Sequence, residues 1–338
     1  MAEREAGQAA GRGPGRRPRP WSWSWRGRGR VLVCAAVLLA CLLAFHGAVP
    51  DALPGRPGSL LETFLPWLGL VVPVLAALAL PRRSAAAGLA VLLPAAAWTA
   101  LFGGHLLPGD DRAPGLLAVQ HNVSDENPDP AGTARALAAT GADLLALEEL
   151  TSAAEPVYAA VLAPQYPYHA VAGTVGVWSK HPLADVRPVD IRPAGVGEDW
   201  NRGLRATART PQGEVAVYVA HLPSVRLSTA HGFGSVRRDE SAALLGAVLA
   251  AEPTDPLILL GDLNSTVDDR GLDPVTSRMD PLSRDFAFSW PASLPLARID
   301  QVMTRSATVT RIRSLPATGS DHLPVAAHIT WPARGRGR

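Results

Sequence analysis

Residues 258–264 read Ile-Leu-Leu-Gly-Asp-Leu-Asn, an apolar run that stops on a glycine and is followed at once by Asp262 and Asn264. A short apolar run closed by turn formers makes a strand buried on both faces, so the two polar side chains fall at its C-terminal end. The same arrangement recurs in both directions along the chain. Upstream, 115–123 (GLLAVQHNV) closes on Asn122, 143–150 (DLLALEEL) on Glu148 and Glu149, and 217–222 (VYVAHL) on His221. Downstream, 297–300 (ARID) reaches Asp300, and Asp321-His322 precede the final run. Further β-rich runs lie at 167–172, 174–178, 184–191, 203–209, 284–289, 297–304, 307–314 and 324–330, with helical periodicity at 130–141, 152–162 and 235–251. Helices and strands interleave, but the strand-rich stretches exclude a plain doubly wound parallel sheet. The pattern predicts an α+β domain over 115–331, built from two packed mixed β-sheets flanked by helices.

Ahead of this domain three charge-free apolar runs, 31–49, 63–80 and 85–103, span 19, 18 and 19 residues. Each is long enough, as a helix, to cross roughly 30 Å of hydrocarbon. Residues 1–30 form a tail with eight arginines, and Pro81-Arg82-Arg83-Ser84 joins the second and third runs, whereas the first link has only Arg56 against Asp51 and Glu62. The positive-inside rule then predicts a multi-pass cell-membrane protein with a cytoplasmic N-terminus and a catalytic domain outside the cytoplasm. The linker 104–114 is too short to let that domain stray far from the outer membrane surface, and 332–338 is a second Arg/Gly tail.

Charge divides the chain in the same place. Residues 1–105 carry 11 basic and 4 acidic side chains, net +7, and 106–338 carry 21 and 26, net −5. An acidic domain lacks the basic face that displaces counterions from a duplex, which argues against nucleic acid as partner. Both cysteines, Cys34 and Cys41, lie in the first apolar run, so the domain has neither a disulfide framework nor a thiolate zinc site.

The strand-end residues therefore carry the chemistry. Carboxylates, amides and two histidines suit a hard divalent ion, Mg²⁺ or Mn²⁺. Such an ion polarises a phosphoryl oxygen, while a carboxylate-oriented histidine and a free carboxylate manage protons. That is equipment for hydrolysing a phosphate ester or anhydride. Arg205, in 202–208 (RGLRATA), is the candidate ligand for a substrate phosphate, its alternative being a structural ion pair.

In order and local wording, HNV (121–123), DLLALEEL (143–150), GVWSKHPL (176–183), VYVAHLPS (217–224), LLGDLNS (259–265), ARIDQV (297–302) and GSDHLPV (319–325) resemble the successive motifs of the endonuclease/exonuclease/phosphatase superfamily. Its members include deoxyribonuclease I, abasic-site endonucleases, bacterial sphingomyelinases and inositol polyphosphate phosphatases. The resemblance implies a four-layer sandwich, two β-sheets between helices. By the same resemblance Glu149, Asn122 and Asp321 hold the metal, with Glu148 where glutamine is usual. Asp300 orients His322 at the scissile phosphate, Asp262 activates water, Asn264 stabilises the developing oxyanion, and His221 contacts phosphate or protonates the leaving group. Gln301 and Leu263 stand where aromatic residues are common, which bears on substrate shape.

Three spans followed by such a domain resemble the membrane proteins linked to teicoplanin and vancomycin resistance in actinomycetes. That likeness implies a phosphorylated membrane lipid, undecaprenyl pyrophosphate, as substrate. A sphingomyelinase-like phosphodiesterase, an extracytoplasmic nuclease and a non-catalytic lipid- or antibiotic-binding protein are the competing expectations.

Overall fold

The computed structural model describes residues 29–107, 115–228, 232–280 and 285–331. The two Arg-rich tails, apart from Gly29 and Arg30, and residues 108–114 of the linker lie outside them. Four helices come first, α1 (Arg30–Ala44), α2 (Pro57–Thr63), α3 (Val71–Arg82) and α4 (Ala85–Phe102). There follow β1 (Leu116–Asn122), α5 (Pro130–Ala138), β2 (Leu144–Glu148), α6 (Glu155–Leu162), β3 (Tyr168–Ala172), β4 (Val175–Ser179), β5 (Leu183–Pro188), β6 (Gly203–Thr210) and β7 (Gly213–Ala220). A small ribbon, β8 (Arg226–Ser228) and β9 (Gly232–Gly234), precedes α7 (Val236–Ala251), β10 (Leu257–Asp262) and α8 (Asp273–Thr276). The chain ends on β11 (Asp300–Arg305), β12 (Thr308–Ser314) and β13 (Val325–Thr330).

Two mixed sheets form the domain. One runs β12-β13-β1-β2-β4-β3 and the other β11-β10-β7-β6-β5, and each contains a single parallel pair, β1 with β2 and β7 with β10. Along β2 the side chains alternate between two cores. Leu144 and Ala146 meet Val217, Val219, Ile258 and Leu260 of the opposite sheet, whereas Leu145 and Leu147 pack beneath α5 and α6 against Leu137 and Tyr158. The second sheet does the same, setting Tyr218, Leu257 and Leu259 beneath α7 with Leu245 and Leu249. Helix, sheet, sheet and helix thus make four layers, and strands buried on both faces account for the unbroken apolar runs. Gly261 is required where β10 meets β7, since a Cβ there would lie 1.9 Å from the Ala220 carbonyl oxygen.

Residues 285–289 form no strand, contrary to the alternation at 284–289. The alternate Phe286 and Phe288 are instead taken up by the helical segment: Phe288 stacks on Trp67 with centroids 5.3 Å apart, and Phe286 lies 6.3 Å from Phe102.

Among the described residues two helical stretches are long and apolar enough to cross a membrane, Leu65–Arg82 (18 residues) and Ala85–Leu106 (22 residues). The expectation of three spans is met by length at only these two, because α1 has 15 residues and at 1.5 Å per residue falls short of the roughly 30 Å needed. Gly29 lies against Ser84, so the start of α1 and the Arg82-Arg83 turn share one end of the helical segment. The sheets dock on its other end. There Arg270 donates to Glu62 (2.7 and 2.9 Å) and to the Val49 carbonyl (2.8 Å), Trp67 donates to the Leu296 carbonyl (2.6 Å), and Gly55 bridges to Gly232.

Candidate active site

The strand-end residues converge at one edge of the sandwich. Asn122 and Glu148 sit opposite each other where β1 and β2 end, and Asp262 faces Asp300 across β10 and β11. His322 arrives from the turn before β13, its backbone N–H donating to Ser320 Oγ (3.0 Å) while Ser320 Oγ donates to the Asn122 carbonyl (2.7 Å). His322 Nδ1 is 2.8 Å from Asp300 Oδ2, and its Nε2 is 3.8 Å from Asp262 Oδ2. Asn122 Nδ2 donates to Asp262 Oδ2 (3.0 Å), as does Asn264 Nδ2 (3.2 Å), and the Asn264 backbone N–H donates to Oδ1 (2.9 Å). Asn264 and Glu149 both adopt left-handed backbone, φ 47° and 56°. That conformation turns the chain sharply after each strand, and for such residues it marks constrained positions.

Electrostatics then sort these groups. Burial opposes the His322 cation, but Asp300 and Asp262 outweigh it and raise its pKa to about 10. Burial likewise opposes ionised Asp300, and the charge and hydrogen bond of His322 hold its pKa below the ordinary value. Asp262 is pushed up by burial to about 7, with His322 pulling down and Asp300 pushing up. His221 is kept neutral, well below its ordinary value, by burial and by the charges of Arg202 and His322. Its Nε2 lies 3.6 Å from Asp262 and 3.8 Å from Glu149 Oε1. The result is a fixed imidazolium beside a carboxylate poised near neutrality, the combination a phosphoryl-transfer site needs.

Three further observations go beyond the sequence reading. Gln120, mid-run in β1, donates to Glu148 Oε2 (2.8 Å) and Asp300 Oδ1 (2.9 Å), tying the two sheets together. Glu148 is fully buried, and burial together with Asp300 and Asp262 raises its pKa well above the carboxylate range. Its Oε1 has no hydrogen-bond partner. Arg202 reaches over His221, Nη1 to Nδ1 3.3 Å, packs 5.3 Å from the Trp200 ring, and feels the charges of Glu149, Asp262 and Asp125.

Arg205 is not part of this cluster, and its assignment to substrate phosphate is corrected. It pairs with Tyr218 across β6 and β7 on the face covered by α7. Its guanidinium is engaged by Glu252 (Nε to Oε2 3.1 Å, Nη2 to Oε1 3.2 Å) and Thr207. Arg202 is the arginine at the site, and the signal was its position. Like the other site residues it stands at a strand end, its carbonyl accepting from the His221 N–H (2.9 Å), whereas Arg205 is mid-strand. Gln301 also finds a role, donating to the Ser265 and Arg298 carbonyls (3.0 and 2.7 Å) and so pinning β11 to the Asp262 turn.

The residues fit a divalent cation. Ligand atoms of Asp262, Asp300 and His322 lie within 4.8 Å of one another, but the His322 imidazolium has no free lone pair for a metal, so the fit rests on the groups beside them. The buried Glu148 Oε1 without a donor, at the end of β2 opposite Asn122, adds an oxygen to a site with more carboxylates than cations. A hard ion answers both features. Glu149, half-buried, and the exposed Asp321, whose charge acts on His322, border the cluster.

Residues 119–322 match the Endonuclease/Exonuclease/phosphatase family. The chain belongs to this family. Members of the endonuclease/exonuclease/phosphatase family are metal-dependent phosphodiesterases and phosphatases, and this one is accordingly a hydrolase using a divalent metal. Among solved structures the chain is similar to sphingomyelinase C from Streptomyces griseocarneus, at 22% identity over 64% of this chain and 99% of that one, TM-score 0.50. It is also similar to an endonuclease/exonuclease/phosphatase from Bacteroides vulgatus, at 15% identity over 65% and 100%, TM-score 0.53. A third likeness is to D. rerio TDP2 complexed with single-strand DNA product, at 16% identity over 64% and 100%, TM-score 0.51. At these identities the likeness is one of fold. No curated protein matches the sequence.

Proposed function

We propose that this protein is a membrane-anchored, Mg²⁺- or Mn²⁺-dependent phosphohydrolase acting at the outer membrane face on a phosphorylated lipid. The substrate we infer is an undecaprenyl pyrophosphate cell-wall carrier, which connects the enzyme to glycopeptide resistance. The observation that carries this reading is the placement of the catalytic edge. Asn264 and Ile299, which flank Asp262 and Asp300 in the chain, share a cavity with Leu60, Thr63 and Phe64 of the helical segment, at the end of the apolar helices opposite the Arg82-Arg83 turn. A hydrolase active site held there meets lipid headgroups rather than bulk solvent.

Asp262, with its pKa near 7, accepts the proton of the attacking water. The His322 imidazolium, held by Asp300, stabilises charge on the phosphoryl oxygens, and Asn264 adds an amide donor. Arg202 supplies a guanidinium for a second phosphate. A divalent ion held by Glu149, Asn122 and Asp321, next to Glu148, would supply Lewis-acid polarisation of the phosphoryl group.

The same groups could serve a sphingomyelinase-like phosphodiesterase, the reading favoured by the Streptomyces neighbour. Purified full-length protein in detergent, given prenyl pyrophosphate, phosphocholine lipid or plasmid DNA with Mg²⁺ or with chelator, separates these readings. Metal-dependent phosphate release from the pyrophosphate is expected. Phosphocholine release or plasmid nicking would replace the reading, and inactivity on all three would favour a lipid- or antibiotic-binding protein.

A further inference from the structure

We propose that an apolar slot between α2 and the catalytic edge binds the first carbons of a single hydrocarbon chain attached directly to the phosphate being hydrolysed. The inference rests on the phosphohydrolase reading and adds the part of the substrate that lies next to the reacting group. The slot has a volume of about 190 Å³ and is walled by Leu60, Phe64, Val225, Phe233, Trp290 and Ile299, with polar side-chain groups from Thr63, Asn264 and the Trp290 indole N–H. Asn264 is shared with the reaction centre, its amide bonding Asp262 Oδ2 (3.2 Å) and the Leu222 carbonyl (2.9 Å). Ile299 immediately precedes Asp300. The Asn264 side chain thus stands between the slot and Asp262 and links the two.

Its other wall belongs to the helical segment, which Glu62-Arg270 and the Gly55-Gly232 bridge clamp in place. Three residues beyond Phe64 a second apolar cavity of about 270 Å³ opens against Trp67, Leu70, Trp98 and Phe288, and α3 and α4 continue from there. A chain entering at the phosphate end is thus led toward the apolar helices.

The lining selects the occupant. A glycerolipid or sphingolipid carries ester, amide or hydroxyl groups within a few atoms of its phosphate, and in this slot most of those groups would lose their hydrogen bonds to water without replacement. A prenyl or alkyl phosphate or pyrophosphate presents only carbon and hydrogen there.

The test uses full-length protein in detergent with Mg²⁺ and a series of pyrophosphate monoesters with chains of increasing length. For wild type, kcat/KM should rise by roughly fourfold for each of the first buried methylenes. Val225→Trp and Leu60→Trp, which fill the slot, should flatten that dependence; an unchanged slope in both overturns the proposal. A second measurement needs no turnover and no variant. An alkyl phosphonate with a photoreactive group a few carbons from phosphorus should label Leu60, Phe64, Val225 or Phe233, and prenyl pyrophosphate should compete far better than diacyl phospholipid. Labelling confined to the outer faces of α3 and α4, or equal competition by phospholipid, overturns it. Labelling of the slot by a protein that hydrolyses none of the esters would remove the hydrolase reading and leave the slot as a lipid site.

Discussion

Two buried clusters of charge lie close together in this domain, and they are built on opposite terms. In the first, both Glu252 oxygens are satisfied: Oε2 accepts from Arg205 (3.1 Å) and the Tyr218 hydroxyl (2.6 Å), and Oε1 from Arg205 (3.2 Å) and the Thr254 N–H (3.0 Å). Burial alone would raise the Glu252 pKa, yet these donors bring it down to about 2. In the second, Asp262 and Glu148 are pushed upward, and one Glu148 oxygen is left without a partner. Tyr218 and His221, three residues apart in the chain, belong to different clusters. A buried charge closed on itself is structure, whereas a buried excess of one sign, at an edge where ligand can enter, is a site.

The comparison is best broken by making the same kind of change on both sides. Asp262→Asn should lower turnover on the order of 10³-fold, the range for losing a general base, with far less change in KM. His322→Ala should also cost about 10²-fold or more, and the double variant should lose less than the product of the two, since the groups act on one transition state. Phosphate release at saturating substrate measures this, and a double variant with wild-type turnover would end the catalytic assignment.

Glu252→Gln should do the reverse, leaving Arg205 buried without its anion at a cost of about 3–5 kcal/mol while turnover per folded molecule stays unchanged. Because the folded-state pKa of Glu252 lies below its ordinary 4.5, at about 2, the stability it contributes is present above pH 4.5 and disappears as pH falls toward 2. Denaturant titrations of wild type and variant should therefore converge across that interval; a constant gap would show that the pair does not set the difference.

Arg202→Ala and Arg205→Ala sharpen the contrast between the two arginines. The first should raise KM by about tenfold, the loss of a charge-assisted phosphate contact, with little change in melting temperature. The second should lower stability and leave KM alone. Exchange of these phenotypes would restore Arg205 to the site.

The smallest effect is expected at Glu148. Its raised folded-state pKa makes it destabilising above the ordinary carboxylate pKa and neutral below it. Glu148→Gln should then raise the metal-free melting temperature by about 2–4 °C at neutral pH, with no gain at pH 3. Mg²⁺ should stabilise wild type more than the variant, since binding to the folded state adds to apparent stability. Equal stabilisation would place the ion away from Glu148.

Much of the domain was legible because strand ends are local features. An apolar run that stops on a polar residue announces both the strand and the position of that residue, as at Asn122, His221, Asp262 and Asp300, and a polar pair just ahead of such a run does the same for His322. Phe286 and Phe288 show where this reading fails. Their alternation is strand-like, but it serves Trp67 and Phe102 of another region. Arg202 and Arg205, three residues apart, are distinguished in sequence only by the strand boundary between them, and which of them meets the cluster depends on the end and face of β6 that each occupies.

By itself the sequence determined most of the long strands and helices and their order, the apolar runs ahead of them, the acidic balance of the domain and the chemistry of its strand ends, all of which depend on residue type and short-range periodicity. Only the tertiary structure decided which charges are closed and which are left open, and that the helical segment is clamped beside the edge that carries Asp262 and Asp300. Contacts such as Trp67 with the Leu296 carbonyl join residues 229 positions apart. Pairings of that kind depend on depth, face and register of the packed sheets, and no local pattern in the chain encodes them.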